Sequence, residues 1–151
     1  MALIHLIYIS TANKQYESAD LDSILESAVR YNTVHDVTGM LLYVGGSFMQ
    51  VLEGEESSVD AAFARIRSDS RHDGILLIQR ESIPQRSFDR WSMGFRRIGP
   101  ADADAHPAFA PFFKRNFKPS SMGVKPGLAL ELLKDFGLSQ REIRVAPISH
   151  P

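Results

Sequence analysis

The spacing of apolar residues in the first hundred positions switches repeatedly between the two-residue repeat of a strand and the longer repeat of a helix. Five stretches rich in β-branched and aromatic residues are predicted as strands: Ile4–Ser10, Thr38–Val44, Ser47–Glu53, Ile75–Ile78 and Trp91–Ile98. The fourth is a continuous apolar run, which is typical of a strand buried on both faces.

Two segments between these strands have helical spacing instead. The first carries an apolar stripe that ends in an amide, formed by Leu21, Ile24, Leu25, Ala28, Val29 and Asn32. A second helix is predicted from about Val59 to Ser70, where Ser57 and Asp60 have the spacing of a capping box. The apolar face of this helix consists of Val59, Ala62, Phe63 and Ile66.

The predicted elements follow the order βαββαββ, which indicates an α+β fold. Two helices against a mostly antiparallel sheet give the ferredoxin-like arrangement with one added strand, a five-stranded mixed sheet whose first and third strands are neighbours. Gly45 and Gly46 form the two-residue turn of a hairpin. Because both helices lie on one sheet face, we expect two tail helices, Ala108–Phe117 and Leu128–Phe136, or a second subunit to cover the opposite face.

A linker-like stretch with Pro100, Asp102 and Asp104 separates this tail from the strands and helices before it. We therefore expect one domain at residues 1–99, followed by a C-terminal helical extension at residues 100–151.

The charge balance and the cysteine count narrow the classes of function. The chain of 151 residues carries 17 Lys and Arg against 18 Asp and Glu, a formal net charge of −1, which gives no electrostatic reason to expect nucleic-acid or membrane binding. The absence of cysteine excludes disulfides and a thiol nucleophile. The five histidines lack metal-ligand spacing, so no metal site is predicted. With no signal peptide and no spanning stretch, we expect a cytoplasmic protein.

Three hydrogen-bonding side chains are predicted to converge between the sheet and the helices. Tyr8 and Gln50 come from the adjacent first and third strands, and Asn32 comes from the end of the first helix. An unpaired buried polar group costs about 1–3 kcal/mol. The cluster is therefore either a self-satisfied core network, which spacing alone favours, or a site for a ligand.

Other residues at suggestive positions have ordinary structural interpretations. Arg65 and Asp69 lie four residues apart on the predicted second helix, which is typical of an exposed ion pair. Trp91 and Met93 occupy positions that are more often core than site. No nucleotide-binding or hydrolase motif occurs in the chain.

Two motifs, T-G-M-L-L-Y at Thr38–Tyr43 and F-x-Q-x-L-E-G at Phe48–Gly54, resemble those of the BLUF family, whose members sense blue light with a bound flavin. The match covers residues 3–98 almost without gaps. It consists of Leu6–Ser10, Asn32, Asp36–Tyr43, Phe48–Gly54, Arg65–Arg71 and Arg90–Phe95. The combination of T-G-M-L-L-Y, F-x-Q-x-L-E-G, a tyrosine near position 8 and W-x-M near position 91 is highly specific.

The resemblance implies a flavin ring that lies between the two helices and against the sheet. Ile24 and Ile66 would clasp the faces of the ring, and Phe48 would line the pocket. Asn32 would hydrogen-bond the C4=O/N3 edge, and Gln50 would reach N5 and O4. FAD is the cofactor expected from the family, with FMN or riboflavin as alternatives.

The same resemblance makes Tyr8 the buried donor of an electron and a proton, hydrogen-bonded to Gln50. An amide has a donor end and an acceptor end, so turning over or tautomerising changes its hydrogen bonds without a covalent adduct. Trp91 and Met93 would be the switch residues of the fifth strand.

Charged residues at the polar edge or the ribityl side of the flavin are implied as well, namely Arg65, Asp69 and Arg71. Two positions depart from the family pattern. Tyr31 lies next to the polar edge, where Asn or His is usual, and Ala28 replaces a common Ser. We expect these departures to bear on the lifetime of the lit state and on the fine spectrum, and neither removes a core element.

We therefore expect a blue-light photoreceptor and not an enzyme. The 52 residues after Gly99 are too few for a cyclase or a phosphodiesterase, so the output is expected to pass through the fifth strand and the tail helices to a separate partner protein. A homo-oligomer, a dimer or larger, is also expected. The alternatives are a flavin-free regulatory domain that binds a metabolite and an acylphosphatase-like hydrolase, although the loop Thr11–Ala19 lacks the arginine that the latter needs.

Overall fold

A computed structural model of the chain describes residues 2–13, 16–44, 46–88, 91–98 and 144–147, the last two ranges through their backbone. The elements are β1 (Leu3–Ala12), α1 (Ser18–His35), β2 (Thr38–Val44), β3 (Ser47–Glu55), α2 (Glu56–Arg67), β4 (His72–Ser82), β5 (Trp91–Ile98) and β6 (Arg144–Pro147). The predicted α+β class, with two helices and an antiparallel group of four strands, is confirmed.

The strands form one sheet in the order β4-β1-β3-β2-β5-β6. β1 and β3 are antiparallel neighbours, as predicted, whereas β5 runs parallel to β2. The sheet has one strand more than the five predicted, because β6 pairs with β5. A four-residue segment that ends in proline is too short to give a strand pattern in the sequence.

β4 differs from its prediction in how it is buried. It lies at the edge of the sheet and contacts only β1 within the described strands, and the side chain of Leu77 is 47% exposed. The prediction of a strand buried on both faces is therefore wrong. A run of apolar residues reports hydrophobicity along the chain but does not report the position of a strand in the sheet order.

The start of α2 also differs from its prediction. The helix begins at Glu56 after an N-cap at Glu55, so Ser57 and Asp60 do not form a capping box. The Ser57 hydroxyl donates to the Glu55 carboxylate at 3.2 Å, and Asp60 accepts a hydrogen bond from Arg80 on β4 at 2.7 Å.

Neither described helix is long and apolar enough to cross a membrane.

Side chains of the central strands alternate between two buried faces. The face toward the helices packs against the apolar stripes of α1 and α2 and includes Ile4, Leu6, Tyr8, Leu41, Phe48 and Leu52. The opposite face includes Ile7, Met40, Leu42 and Val51, which are buried as well. The tail helices predicted to cover this second face, and the domain boundary at residue 99, lie outside the described residues.

Candidate functional site

α1, α2 and the helix-facing side of the sheet enclose a cleft of about 220 Å³. The side chains predicted to bind or to react line it, with the exception of the two on β5: Tyr8, Ile24, Tyr31, Asn32, Phe48, Gln50, Arg65, Ile66, Asp69 and Arg71. The cleft is further lined by Ser27, Ala28, Leu41, Ala62, Ser68 and His72. The residues that the sequence pattern and the family resemblance assigned to a site therefore share one cleft.

The floor of the cleft carries a pair of polar side chains on adjacent strands. Tyr8 and Gln50 are direct partners in the antiparallel register of β1 and β3, which places their side chains next to each other on the same face. The Tyr8 hydroxyl donates to Oε1 of Gln50 at 2.5 Å, and each residue is 3% exposed. The predicted contact between these two residues is present.

Burial controls the acid–base chemistry of this tyrosine. It raises the pKa of the Tyr8 hydroxyl far above its ordinary value of 10.0, and the negative charge of Asp69 adds to the effect. Tyr8 therefore keeps its proton at every physiological pH. Oxidation of a protonated tyrosine gives a strongly acidic radical cation, a charge that burial disfavours, so any loss of an electron from Tyr8 would require its proton to move to an acceptor such as Oε1 of Gln50.

The walls of the cleft are apolar because each helix turns its hydrophobic stripe inward. Ile24 of α1 and Ile66 of α2 both pack against the core cluster and line the cleft. Two small residues, Ala28 and Ala62, line the cleft beside them. Small side chains at these positions leave room between the helices.

Asn32 lies in the last turn of α1. The backbone amides of Asp36 and Val37 donate to its carbonyl oxygen, the latter at 2.9 Å, and Asp36 adopts a left-handed conformation with φ of 55°. This turn ends the helix and holds the Asn32 side chain, 3% exposed, in the cleft.

The rim of the cleft carries the charges. Asp69 and Arg71 form a bidentate ion pair with N–O distances of 2.5 and 2.9 Å. The hydrogen bond from Arg71 is the main reason why the pKa of Asp69 lies below its ordinary value. Arg65 instead lies 4.5 Å above the ring of Tyr31 and donates to the Ser27 hydroxyl at 3.2 Å. The predicted ion pair between Arg65 and Asp69 is wrong, because α2 ends at Arg67 and Asp69 follows it outside the helix.

His72 is a cleft residue that sequence reasoning missed. Its Nε2 lies 2.8 Å from the carbonyl oxygen of Ile66, and because a carbonyl only accepts, Nε2 carries a hydrogen. Nδ1 lies 2.6 Å from the buried Ser10 hydroxyl. The ring thus ties the end of α2 to β1 beside Tyr8, at a centroid distance of 6.2 Å. No metal-ligand spacing marks this residue, and only its place directly after Arg71 hinted at the rim.

The two predicted switch residues, Trp91 and Met93, lie on β5, as predicted from the strand bounds. This strand pairs with β2 from Met40–Gly94 to Val44–Ile98. The side chains of Trp91 and Met93 lie outside what the structure describes.

Within the described residues, the cleft has apolar walls, a tyrosine–glutamine pair on its floor and charges at its rim, an arrangement suited to a flat, partly polar cofactor. Residues 3–94 match the family model of BLUF, described as sensors of blue-light using FAD. The chain belongs to this family of flavin-binding photoreceptor domains, as the sequence motifs predicted.

Individual relatives agree with this assignment. The chain is 35% identical over 92 residues to a photoactivated adenylate cyclase subunit beta from Euglena longa, covering 60% of this chain and 11% of that protein. It thus spans about a tenth of the length of that relative. Its fold is similar to the ground state of BlsA, with a TM-score of 0.75, 26% identity and coverage of 99% and 94% of the two chains. It is also similar to the BLUF protein BlrB in its dark state, with a TM-score of 0.70, 29% identity and coverage of 89% and 97%.

Proposed function

We propose that this chain is a blue-light receptor that binds FAD between α1 and α2 and uses Tyr8 and Gln50 as its photoactive pair. The observation that carries the proposal is the 2.5 Å hydrogen bond between these two buried side chains on the floor of the cleft. A tyrosine and an amide in direct contact supply a redox-active donor and a group whose hydrogen bonds can be exchanged.

The chemistry of the cleft fits a flavin ring, which has two apolar faces and one polar edge. Ile24 and Ile66 supply apolar surface from the two helices, and Phe48 supplies it from the sheet. Asn32 and Gln50 offer amide groups to the polar edge. The charged side chains at the rim, Arg65, Asp69 and Arg71, suit the remaining polar edge of the ring or the ribityl chain. FMN and riboflavin are alternatives to FAD as the bound flavin.

Bound flavin that has absorbed blue light supplies a strong oxidant at this site. Tyr8 would give one electron to this oxidant, and its hydroxyl proton would move to Oε1 of Gln50 across the existing hydrogen bond. Gln50 would pass one proton from its amide nitrogen to the flavin, so that the amide stays neutral as it changes tautomer or turns over. The reverse transfers would then return the electron and the proton to Tyr8. The dark and lit states thus differ in the hydrogen bonds of Gln50, and no net reaction occurs.

The signal is proposed to leave through β5 and the C-terminal extension. β5 pairs directly with β2, which in turn pairs with the Gln50 strand at Leu41. Trp91 and Met93 on β5 are proposed to respond to the new hydrogen bonds of Gln50. The relative from Euglena longa is a cyclase subunit of much greater length than this chain. For this chain we propose instead that the signal passes to a separate effector protein. We further propose that the chain binds this effector as a homo-oligomer.

The proposal is tested by purifying the protein and illuminating it. We expect non-covalently bound oxidised flavin and a reversible red shift of its absorption under blue light. Tyr8→Phe and Gln50→Leu should each retain the flavin and lose the normal red shift, because each keeps apolar volume and removes one member of the pair.

Tyr43→Phe is the matched control for the tyrosine variant. Tyr43 is as buried as Tyr8 and lies on the same sheet face, but its hydroxyl accepts from the backbone amide of Tyr16. Its red shift should stay normal. A colourless protein that takes up no flavin would refute the cofactor, and a normal photocycle in Tyr8→Phe would refute the mechanism.

A further inference from the structure

Glu53 is a buried carboxylate that the proposed photochemistry does not use. It lies on β3 three residues beyond Gln50, on the opposite face of the sheet, and is 0% exposed. The consecutive backbone amides of Ser87 and Phe88 donate to its two oxygens, each at 2.7 Å. Thr38 on β2 donates to it as well, at 3.4 Å.

Arg86 completes this network from the same short segment. Its Nη1 donates to the Thr38 hydroxyl at 2.9 Å and to the backbone carbonyl of Glu53 at 3.2 Å. Its Nη2 donates to the backbone carbonyl of Asp36 at 2.8 Å, in the turn that ends α1 after Asn32. We call Glu53, Thr38 and residues 86–88 together the Glu53 clasp.

The strands and α1 approach closely at the clasp. A Cβ atom on Gly54 would lie 3.1 Å from the carbonyl oxygen of Asp36 and 3.4 Å from the side chain of Val59. Glycine at this position therefore lets the end of α1 pack against β3. β3, the end of α1 and residues 86–88 are therefore in close contact with one another.

The segment held by the clasp enters β5 almost immediately. Only two residues separate Phe88 from Trp91, where β5 begins. A charged carboxylate is stable in a buried site only while it is hydrogen-bonded. Because the amides of Ser87 and Phe88 are consecutive and bind the two oxygens of the same carboxylate, a movement of Glu53 would break both hydrogen bonds. A side chain of β3, the strand that carries Gln50, thus binds the chain just before β5 begins.

We propose that Glu53 is a positioning residue that couples Gln50 to β5, and that light loosens its bonds to the amides of Ser87 and Phe88. The inference rests on the proposed function, because it needs a light-driven change at Gln50. It adds a second route to β5 besides the β3–β2–β5 ladder, and it assigns the decisive step to the clasp.

Hydrogen exchange of the flavin-loaded protein in darkness and in blue light tests this coupling. In the unmodified protein, the amides of Ser87 and Phe88 should be protected in darkness, and light should speed their exchange together with that of residues 91–98. Glu53→Gln keeps the volume of the side chain but turns one acceptor into a donor that faces a backbone amide. The two amides should then exchange about tenfold faster in darkness, and the light-dependent difference over residues 91–98 should disappear while the red shift remains.

Asp60→Asn is the matched control. Asp60 also accepts hydrogen bonds from an arginine, Arg80, but at the α2–β4 edge of the molecule, so this variant should respond to light as the unmodified protein does. A light response of β5 without any change at Ser87 and Phe88 would overturn the inference even if Glu53→Gln failed to fold. An unaltered β5 response in folded Glu53→Gln would overturn it too. Failure of the proposed function is a separate outcome, recognised by the lack of flavin or of a red shift in the unmodified protein.

Discussion

β3 carries two buried polar side chains whose surroundings differ completely. Gln50 faces the helices and lines the wide cleft, whereas Glu53 faces the other side and is enclosed by protein donors. Both are almost fully buried, at 3% and 0% exposure. Burial alone therefore does not distinguish a group that serves a ligand from one that serves the fold.

The difference lies in what occupies the space around each group. The Glu53 carboxylate accepts hydrogen bonds from two backbone amides and one hydroxyl, so protein donors surround it without any further molecule. Gln50 accepts from the Tyr8 hydroxyl and lines the cleft. A polar group in a closed protein network is costly to disturb, whereas a polar group beside a cleft can exchange partners.

The largest expected effect comes from replacing each group with leucine in the flavin-free protein. Glu53→Leu leaves the amides of Ser87 and Phe88 without their acceptor and should lower the free energy of unfolding by about 3–5 kcal/mol. Gln50→Leu removes the acceptor of the Tyr8 hydroxyl, which borders the cleft and can turn to water, and should cost about 1 kcal/mol. Urea unfolding of both variants measures the difference. Equal losses would mean that the two environments do not differ in the way described.

Much of this layout could be predicted from the sequence. Alternation and helical spacing placed β2 and β5 at their observed bounds, and motif resemblance joined Tyr8 to Gln50 across 42 positions. These features succeed because they repeat along the chain or occur as a dense motif. The apolar stripes of α1 and α2 succeed for the same reason.

The Glu53 clasp and the rim could not be predicted in this way. Glu53 looked like an ordinary strand-end carboxylate, because its partners are backbone amides 34 and 35 positions away, and backbone amides leave no signature in a sequence. The pairing of Asp69 with Arg71 depended on where α2 ends, and helix ends are the least certain part of a pattern. The burial of β4 was mispredicted because it depends on the position of the strand in the sheet order, and strand order is a property of the whole sheet.

The second prediction concerns flavin and should affect the two regions unequally. Flavin at about a hundredfold excess over its Kd should stabilise the unmodified protein by about 2.7 kcal/mol. Asn32→Ala removes an amide from the cleft and should weaken flavin binding about tenfold, which lowers that stabilisation accordingly. Arg86→Gln, in the clasp, should destabilise the protein but leave the added stabilisation by flavin unchanged. Thermal unfolding with and without flavin checks this, and an equal loss of flavin effect in both variants would contradict it.

The third prediction uses pH, to which the two regions should respond with opposite sign. Arg71 holds the pKa of Asp69 below its ordinary value of 3.8, so the stability from this pair is present above pH 3.8 and is lost as the pH falls through the lowered pKa. Burial raises the pKa of Glu53 above its ordinary value of 4.5, against the effect of its hydrogen bonds. The contribution of Glu53 is therefore greatest below pH 4.5 and declines as the pH rises through the raised pKa.

Urea unfolding of the flavin-free protein between pH 3 and pH 8 separates these contributions. Asp69→Asn should reduce the loss of stability on the acid side, and Glu53→Gln should remove the decline above pH 4.5. Identical pH profiles for the two variants would show that neither carboxylate titrates in the way its surroundings imply.

The smallest expected effect lies at the rim, where Arg65 packs over the ring of Tyr31 rather than pairing with Asp69. A cation over an aromatic ring contributes about 0.5–1 kcal/mol at an exposed site, and this contact holds the guanidinium beside the cleft. Tyr31→Phe keeps the ring and should leave the Kd for flavin unchanged within about twofold, whereas Tyr31→Leu removes the ring face and should weaken binding about three- to fivefold. Fluorescence titration of flavin with both variants resolves such differences. If Tyr31→Phe weakened binding as much as Tyr31→Leu, the hydroxyl and not the ring would be the part of Tyr31 that matters, and the rim would act on flavin through a hydrogen bond instead of through Arg65.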